Sequence, residues 1–332
     1  MPATIVSLLL TLIVLSLGCA HMEKKDIKVI LSPYKIENES SADSMKLMGK
    51  ADAALLFYSV TQKEPPYETV IFSVDIAQPS AEVSHSFEFS QLLPPPPRWD
   101  IATGVDGIPV IVFESFGGAT NQLLLKKPGE GDVWVTEKRS LGTFREPRFF
   151  KLSTEDSYVV TIRDEDDVVV FPAAKEGGYG DLLELGKGYA AVIKPLRGDF
   201  LLFHKVRKPG KVRLPNIPRG NLLLRKLDKD LKLAGQAVPL LGETNVFEFD
   251  VAVFGDHAVL FATTDKGFIF AVGSPAKVGF EWKVFKEIIN AAELIRPAIL
   301  AQKEKIYLAV LEKLPDGNQR LLTGSVSLDE LL

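Results

Sequence analysis

At 332 residues the chain is long enough to bury a large core in one or two domains. Its 39 Lys and Arg against 43 Asp and Glu give a formal net charge of −4, so it carries no global basic field and no nucleic-acid partner is expected. Charged residues at 25% and hydrophobic residues at 46% are ordinary for a folded body, and 21 prolines and 25 glycines spread along the chain suit a β protein with many turns.

The first element is an apolar run, Ile5 to Gly18, with small residues near its end. It matches the core of a secretory signal and is too short to span a bilayer. It closes on Leu15-Ser16-Leu17-Gly18-Cys19, and Cys19 is the single cysteine, so no intrachain disulfide can form. This stretch resembles a bacterial lipobox, with Ser16 where an aliphatic residue is usual. The resemblance implies a signal peptide over 1–18, a lipid on Cys19 that anchors the chain to a membrane, and a tether over 19–25. Ala20 in place of Asp after the cysteine implies the outer membrane of a bacterial envelope. The alternative is an ordinary secretory signal.

Residues 26–332 read as one domain. Asp26 to Ile36 is a predicted strand with Ile27, Val29 and Leu31 on one face. A first unit then holds Ser44 to Met48, Ala53 to Val60, Thr69 to Ile76 and Glu82 to Phe89. Leu92 to Pro97 is a stiff connection into the second unit, Trp99 to Lys138, the clearest of all. There, four short apolar strands are separated by Asp106-Gly107, a Gly-rich loop and Pro128-Gly-Glu-Gly131, which makes one antiparallel sheet of about forty residues. The third unit holds Arg148 to Leu152, Tyr158 to Ile162, Val168 to Phe171 and Leu182 to Leu185. The fourth holds Tyr189 to Ile193, Phe200 to Val206, Asn221 to Leu227 and Leu231 to Val238, with a basic insertion from Arg207 to Arg219. The fifth holds Val246 to Phe254, Ala258 to Thr263, Phe268 to Val272 and Glu281 to Phe285. The sixth holds Ala298 to Ala301, Ile306 to Leu311 and Gln319 to Val326, one strand short.

Unit starts recur roughly 42 to 59 residues apart, the spacing of propeller blades. The expected fold is therefore an all-β propeller of six four-stranded blades. The strand at Asp26 to Ile36 would complete the sixth blade and remove a pair of exposed edges. The innermost strands are expected to be near-continuous apolar runs such as Ala54 to Phe57, Val110 to Phe113 and Val259 to Phe261. The competing architecture is a pair of β-sandwiches.

Two turns carry a family resemblance. Gly131-Asp-Val-Trp134 and Gly279-Phe-Glu-Trp282 stand between the third and fourth strands of the second and fifth units. They resemble the second half of the Asp-box of sialidase-like propellers, whose Ser/Thr and Asp positions are here Lys127 and Gly129, or Pro275 and Lys277. In that family the aromatic packs between sheets, so the resemblance bears on fold first. Phe144-Arg145-Glu146-Pro147 is similar to the family's Phe/Tyr-Arg-Ile-Pro motif. Arg98 and Arg296 also stand at the starts of first strands, and Lys187 precedes another. If the units form a ring, Arg98, Arg145, Arg296 and Lys187 are expected to converge on one mouth and bind an anion, an acidic glycan or an acidic partner segment. Local pairing with Asp100, Glu146 and Glu293 is the alternative.

Other chemistry is sparse. His21, His85, His204 and His257 have no metal-ligand spacing, and no phosphate loop or nucleophile elbow occurs. Asp164-Glu-Asp-Asp167 reads as a solvated hairpin turn. With no catalytic residue assignable and no cofactor or metal implied, the expected function is a lipid-anchored binding or assembly module of the envelope, not an enzyme. The alternative is a sialidase-like glycoside hydrolase.

Overall fold

The computed structural model describes residues 30–331, apart from 36–41, 79–82, 92–97, 105–107, 117–120, 128–132, 135–142, 152–156, 165, 174–181, 208–219, 243, 265–266, 276–279 and 289–292. The signal, Cys19 and its tether, the Gly131 and Gly279 turns and most of the basic insertion lie outside the described residues.

The chain opens on a two-residue strand, β1 (Ser32–Pro33), and then builds sheet after sheet. Blade 1 is β2 (Ala42–Lys50), β3 (Ala53–Thr61), β4 (Tyr67–Asp75) and β5 (Ser84–Gln91). Blade 2 is β6 (Trp99–Thr103), β7 (Pro109–Phe116), β8 (Asn121–Lys126) and β9 (Val133–Trp134). Blade 3 is β10 (Phe144–Lys151), β11 (Ser157–Arg163), β12 (Asp167–Ala173) and β13 (Leu183–Lys187). Blade 4 is β14 (Ala191–Leu196), β15 (Asp199–Arg207), β16 (Gly220–Leu227) and β17 (Leu233–Pro239). Blade 5 is β18 (Val246–Phe254), β19 (His257–Thr264), β20 (Gly267–Pro275) and β21 (Phe280–Ile288). Blade 6 is β22 (Glu293–Gln302), β23 (Lys305–Lys313) and β24 (Gln319–Ser327), followed by a short helix, α1 (Leu328–Leu331). Each blade is an antiparallel meander, and β1 pairs with β24 as the fourth strand of blade 6. The chain is a six-bladed β-propeller closed by its N-terminal segment. The closing strand is shorter than the Asp26 to Ile36 expectation: Ser32 and Pro33 pair with Thr323 and Leu322, and Tyr34 N–H donates to the Leu321 carbonyl.

Apolar seams join the blades. Phe57, Ile71 and Phe89 pack on Trp99, Ile111 and Phe113 between blades 1 and 2. Val112 and Leu123 meet Phe144 and Val169 between blades 2 and 3. Val160 and Ile162 meet Ile193 and Leu202 between blades 3 and 4, and Phe203 and Leu224 meet Val251 and Leu260 between blades 4 and 5. A larger cluster runs from Phe270 through Leu308 to Leu56, so blades 5, 6 and 1 close the ring.

This arrangement corrects one expectation. The most apolar strands are the second of each blade, not the innermost. In β7, Ile111, Val112 and Phe113 are buried in succession, and every residue of β19 from Ala258 to Thr264 is buried. Second strands are covered on both faces by neighbouring blades and so read as continuous apolar runs. The innermost strands, by contrast, face a polar channel on one side. At its mouth they carry charge.

The surviving half of the Asp-box does what its resemblance implies. Trp282 in β21 sits opposite Gly273 and meets Phe203 of blade 4 edge to face at 6.1 Å. A Cβ on Gly273 would fall 2.7 Å from the indole, so only glycine lets the ring lie flat into the seam.

Candidate active site

The site is built by irregularities in the innermost strands. β10, β18 and β22 bulge where they start, between Arg145 and Arg148, Val246 and Phe249, and Ile295 and Ala298. Glu146 and Arg296 have φ of 54° and 56°, and a proline follows each. Non-glycine residues are uncommon in that left-handed region, and such backbone persists only where its surroundings hold it. The following proline has no N–H, so the bulge leaves one fewer donor to satisfy. Because strand side chains alternate, a bulge decides which residue faces the channel. Here Glu146 and Arg296 do.

A pocket of about 100 Å³ opens at this end of the channel. Its charged lining comprises five cations, Lys46, Arg98, Arg148, Lys205 and Arg296, and two carboxylates, Glu146 and Glu248. Glu248 of β18 is clamped: Oε2 accepts the Arg296 backbone N–H, Oε1 bonds the Arg296 guanidinium, and Arg98 Nη1 stands 4.0 Å away. Burial opposes its ionisation, but Arg296 and Arg98 outweigh burial and hold its pKa down at about 2. Arg296 Nε also donates to the Asp43 carbonyl at 2.7 Å, across the seam to blade 1.

Glu146 is held differently. Its N–H donates to Glu114 of β7, a carboxyl only 3% exposed, and burial pushes Glu114 up to about 8. Lys205 of β15 reaches the mouth from a second strand, where its ammonium donates to the Phe247 carbonyl and lies over the Tyr189 ring at 5.4 Å. Burial lowers its pKa. Beneath the mouth, Asp100 accepts the Phe149 N–H at 2.7 Å, and Asp250 accepts those of Val251 and Ile299 at 3.0 and 3.3 Å.

Of the four cations expected at the mouth, Arg98 and Arg296 are brought together and Arg145 and Lys187 are not. Arg145 is exposed and its guanidinium donates to the Asp164 carbonyl. Lys187 is exposed and pairs with Asp166 and Asp167 at 2.9 and 2.7 Å. The Phe-Arg-Glu-Pro stretch does reach the mouth, through Glu146 rather than its arginine. Sequence reasoning missed Lys46, Arg148, Lys205 and Glu248 in the mouth and Glu114 behind it. The local pairs weighed as alternatives do not form either: Arg98 and Arg296 share Glu248, Asp100 lies by Lys46 and Arg148, and Glu293 meets Lys313.

The fold is that of the sialidase-like β-propellers. A search of solved structures matches an α-L-arabinofuranosidase of Fusarium graminearum in complex with an iminosugar inhibitor, with a TM-score of 0.63 and 11% identity over 91% of this chain and 97% of that one. An α-L-arabinanase of Penicillium chrysogenum complexed with arabinobiose matches with a TM-score of 0.62 and 13% identity over 92% and 98%. The N11 neuraminidase-like protein from a flat-faced bat isolate of Peru matches with a TM-score of 0.55 and 8% identity over 91% and 95%. No protein-family model and no curated protein matches by sequence. The expectation of a non-enzymatic binding or assembly module is corrected by these findings: glycoside hydrolases share the fold over nearly the whole chain, and two carboxylates line the mouth.

Proposed function

We propose that the protein is a glycoside hydrolase working at the channel mouth. The observation that carries this reading is the pair Glu146 and Glu248, set on different blades in one pocket and held in unlike surroundings. Glycosidases need one carboxyl to protonate the leaving oxygen and one carboxylate to face the anomeric carbon. Glu248, kept ionised by Arg98 and Arg296, suits the second role, where it stabilises the positive charge that develops on the sugar. Glu146 suits the first, passing its proton to the glycosidic oxygen as the carbon–oxygen bond breaks; a water then adds to the anomeric carbon and its proton restores Glu146. Five cations against two carboxylates in the lining support an acidic sugar as substrate, with Arg98 and Arg296 among the groups that recognise it. The test is a panel of chromogenic glycosides covering α-L-arabinofuranosides, sialosides and uronides. Glu146→Gln and Glu248→Gln should each lower kcat by about 10² to 10⁴-fold on whichever is cleaved. A wild-type protein inert on all of them, or variants as active as wild type, would overturn the reading.

The lipobox-like run supports an envelope location with Cys19 as anchor. Cys19→Ser should move the protein from membranes to the soluble fraction, and a variant that stays with membranes refutes the anchor.

A further inference from the structure

Two of the pocket's cations, Lys46 and Arg148, have no part in the bond-breaking step at Glu146 and Glu248. Lys46 of blade 1 and Arg148 of blade 3 flank Asp100 of blade 2. The ammonium is 3.9 Å from Asp100 Oδ1 and Arg148 Nη1 is 3.7 Å from the same oxygen. Both separations exceed hydrogen-bond length. The other Asp100 oxygen is already taken by the Phe149 N–H. Arg148 Nη1 is buried with no hydrogen-bond partner among the described residues, and the Lys46 side chain is only 8% exposed. Buried cationic donors left unpaired are costly, so natural structures give them an acceptor. The two cations come from different blades and stand around one carboxylate oxygen, and among the described residues Arg148 Nη1 has no acceptor.

We propose that Lys46 and Arg148, with Asp100 between them, form an oxyanion site on the pocket floor that takes a carboxylate or sulfate group. Size agrees: about 100 Å³ holds a few waters at ~30 Å³ each, or one small oxyanion. Charge agrees as well. Burial, with Asp250 nearby, lifts Asp100 to about 8, so at neutral pH its carboxyl offers a proton to an anion instead of repelling it. The guanidinium fork suits a planar or tetrahedral oxyanion, and the ammonium supplies a point charge beside it. The anion is either free in solution or the charged group of a glycan whose ring lies at the mouth. Only the second source rests on the hydrolase reading.

The experiment is calorimetric titration of the full chain with sodium sulfate against sodium chloride at matched ionic strength, so turnover plays no part. Saturable sulfate binding is expected, at least tenfold weaker in Lys46→Met, and unchanged in Lys303→Met, which removes an exposed lysine elsewhere. Arg148→Lys keeps the buried charge and loses the fork. It should fold, by its melting temperature, and bind sulfate several-fold more weakly. Glucuronate that displaces sulfate identifies a sugar-borne anion, and sulfate binding that glucuronate leaves untouched identifies a free one. Absence of saturable binding in the wild type, or full affinity in both Lys46→Met and Arg148→Lys, overturns the site. Sulfate binding in a protein that cleaves no glycoside leaves the site standing and removes only the hydrolase reading.

Discussion

Blades 2 and 3 follow the same plan as blades 5 and 6, with the charges exchanged. Arg98-Trp99-Asp100 corresponds to Glu248-Phe249-Asp250, and Glu146-Pro147-Arg148-Phe149 to Arg296-Pro297-Ala298-Ile299, at the same separation along the chain. In each half an aspartate reaches across the seam to the backbone of the next blade, Asp100 to Phe149 and Asp250 to Ile299. In each half a glutamate accepts the N–H of the bulged residue, Glu114 for Glu146 and Glu248 for Arg296. The two glutamates make the same bond and end up with opposite protonation. Glu114 comes from a second strand, where burial outweighs the pull of that N–H and of Arg98. Glu248 comes from an innermost strand, where two guanidiniums outweigh burial. The hydrogen bond is common to both, so it is burial against the charge environment that decides which of the two is ionised.

The pH dependence of stability can break that comparison most sharply. Glu114 titrates at about 8 when folded against an ordinary 4.5, so the folded state holds an extra proton between those values. Its contribution to stability is full below pH 4.5 and falls as pH rises to 8, by up to about 5 kcal/mol. Glu248 runs the other way. With a folded pKa of about 2 against 4.5, it contributes stability above pH 4.5 that is lost as pH falls towards 2, by about 3 kcal/mol. Urea unfolding from pH 2 to 9 should show Glu114→Gln reducing the decline above 4.5 to the part that Asp100 contributes, and Glu248→Gln reducing the loss between 4.5 and 2. If both variants keep the wild-type profile, the two halves do not differ as described.

A third group sharpens the contrast, because the innermost strand of blade 4 puts no charge into the pocket lining. His204 on β15 is fully buried, and neither ring nitrogen has a hydrogen-bond partner among the described residues. Burial, then Arg225 nearby, lowers it from 6.5 to about 4. The fold therefore keeps this imidazole neutral, and stability falls as pH drops from 6.5 to 4, by about 3 kcal/mol. That window overlaps the one in which Glu114 acts with opposite sign. The histidine limb should therefore be clearest in Glu114→Gln and vanish in Glu114→Gln/His204→Phe. A double variant that still loses stability between pH 6.5 and 4 would place the titrating group elsewhere.

These residues also show where the sequence is legible. Blade number and order can be read because turns punctuate apolar strands at even spacing, and because Trp282 repeats Trp134 three blades on. The order within a blade misleads, since a continuous apolar run such as Val110 to Phe113 marks two-sided cover and therefore a second strand. At the mouth the limit is register. Arg145 and Glu146 are neighbours, and only the bulge decides which faces the channel. Aligning the chain on itself would have matched Glu146-Pro147 with Arg296-Pro297 and chosen the glutamate. Nothing comparable marks Lys205 or Glu114. Both sit on second strands, and what brings them to the site is pairing with the chain just before, Lys205 N–H donating to the Ala190 carbonyl and Glu114 N–H to the Arg98 carbonyl.

The smallest effect tests the one place where the halves differ in connectivity. Blade 3 draws its fourth strand, β13, from its own stretch of chain, whereas blade 6 borrows β1 from the other end. The borrowed piece is short, and its hold is shared. Tyr34 N–H donates to Leu321 of blade 6, the Tyr34 hydroxyl donates to the Gln78 carbonyl of blade 1 at 3.3 Å, and Leu31 and Tyr34 pack on the cluster that joins blades 5, 6 and 1. A few net hydrogen bonds and two partly buried side chains amount to about 2 kcal/mol. A chain beginning at residue 36 should therefore fold, melt several degrees lower and leave β24 as a bare edge, with faster aggregation on warming. Tyr34→Phe separates the contributions: it loses only the bond to blade 1 and should cost well under half as much. If the shortened chain melts with the full one and stays soluble, blade 6 is complete without β1, and the ring is closed by its apolar seams alone.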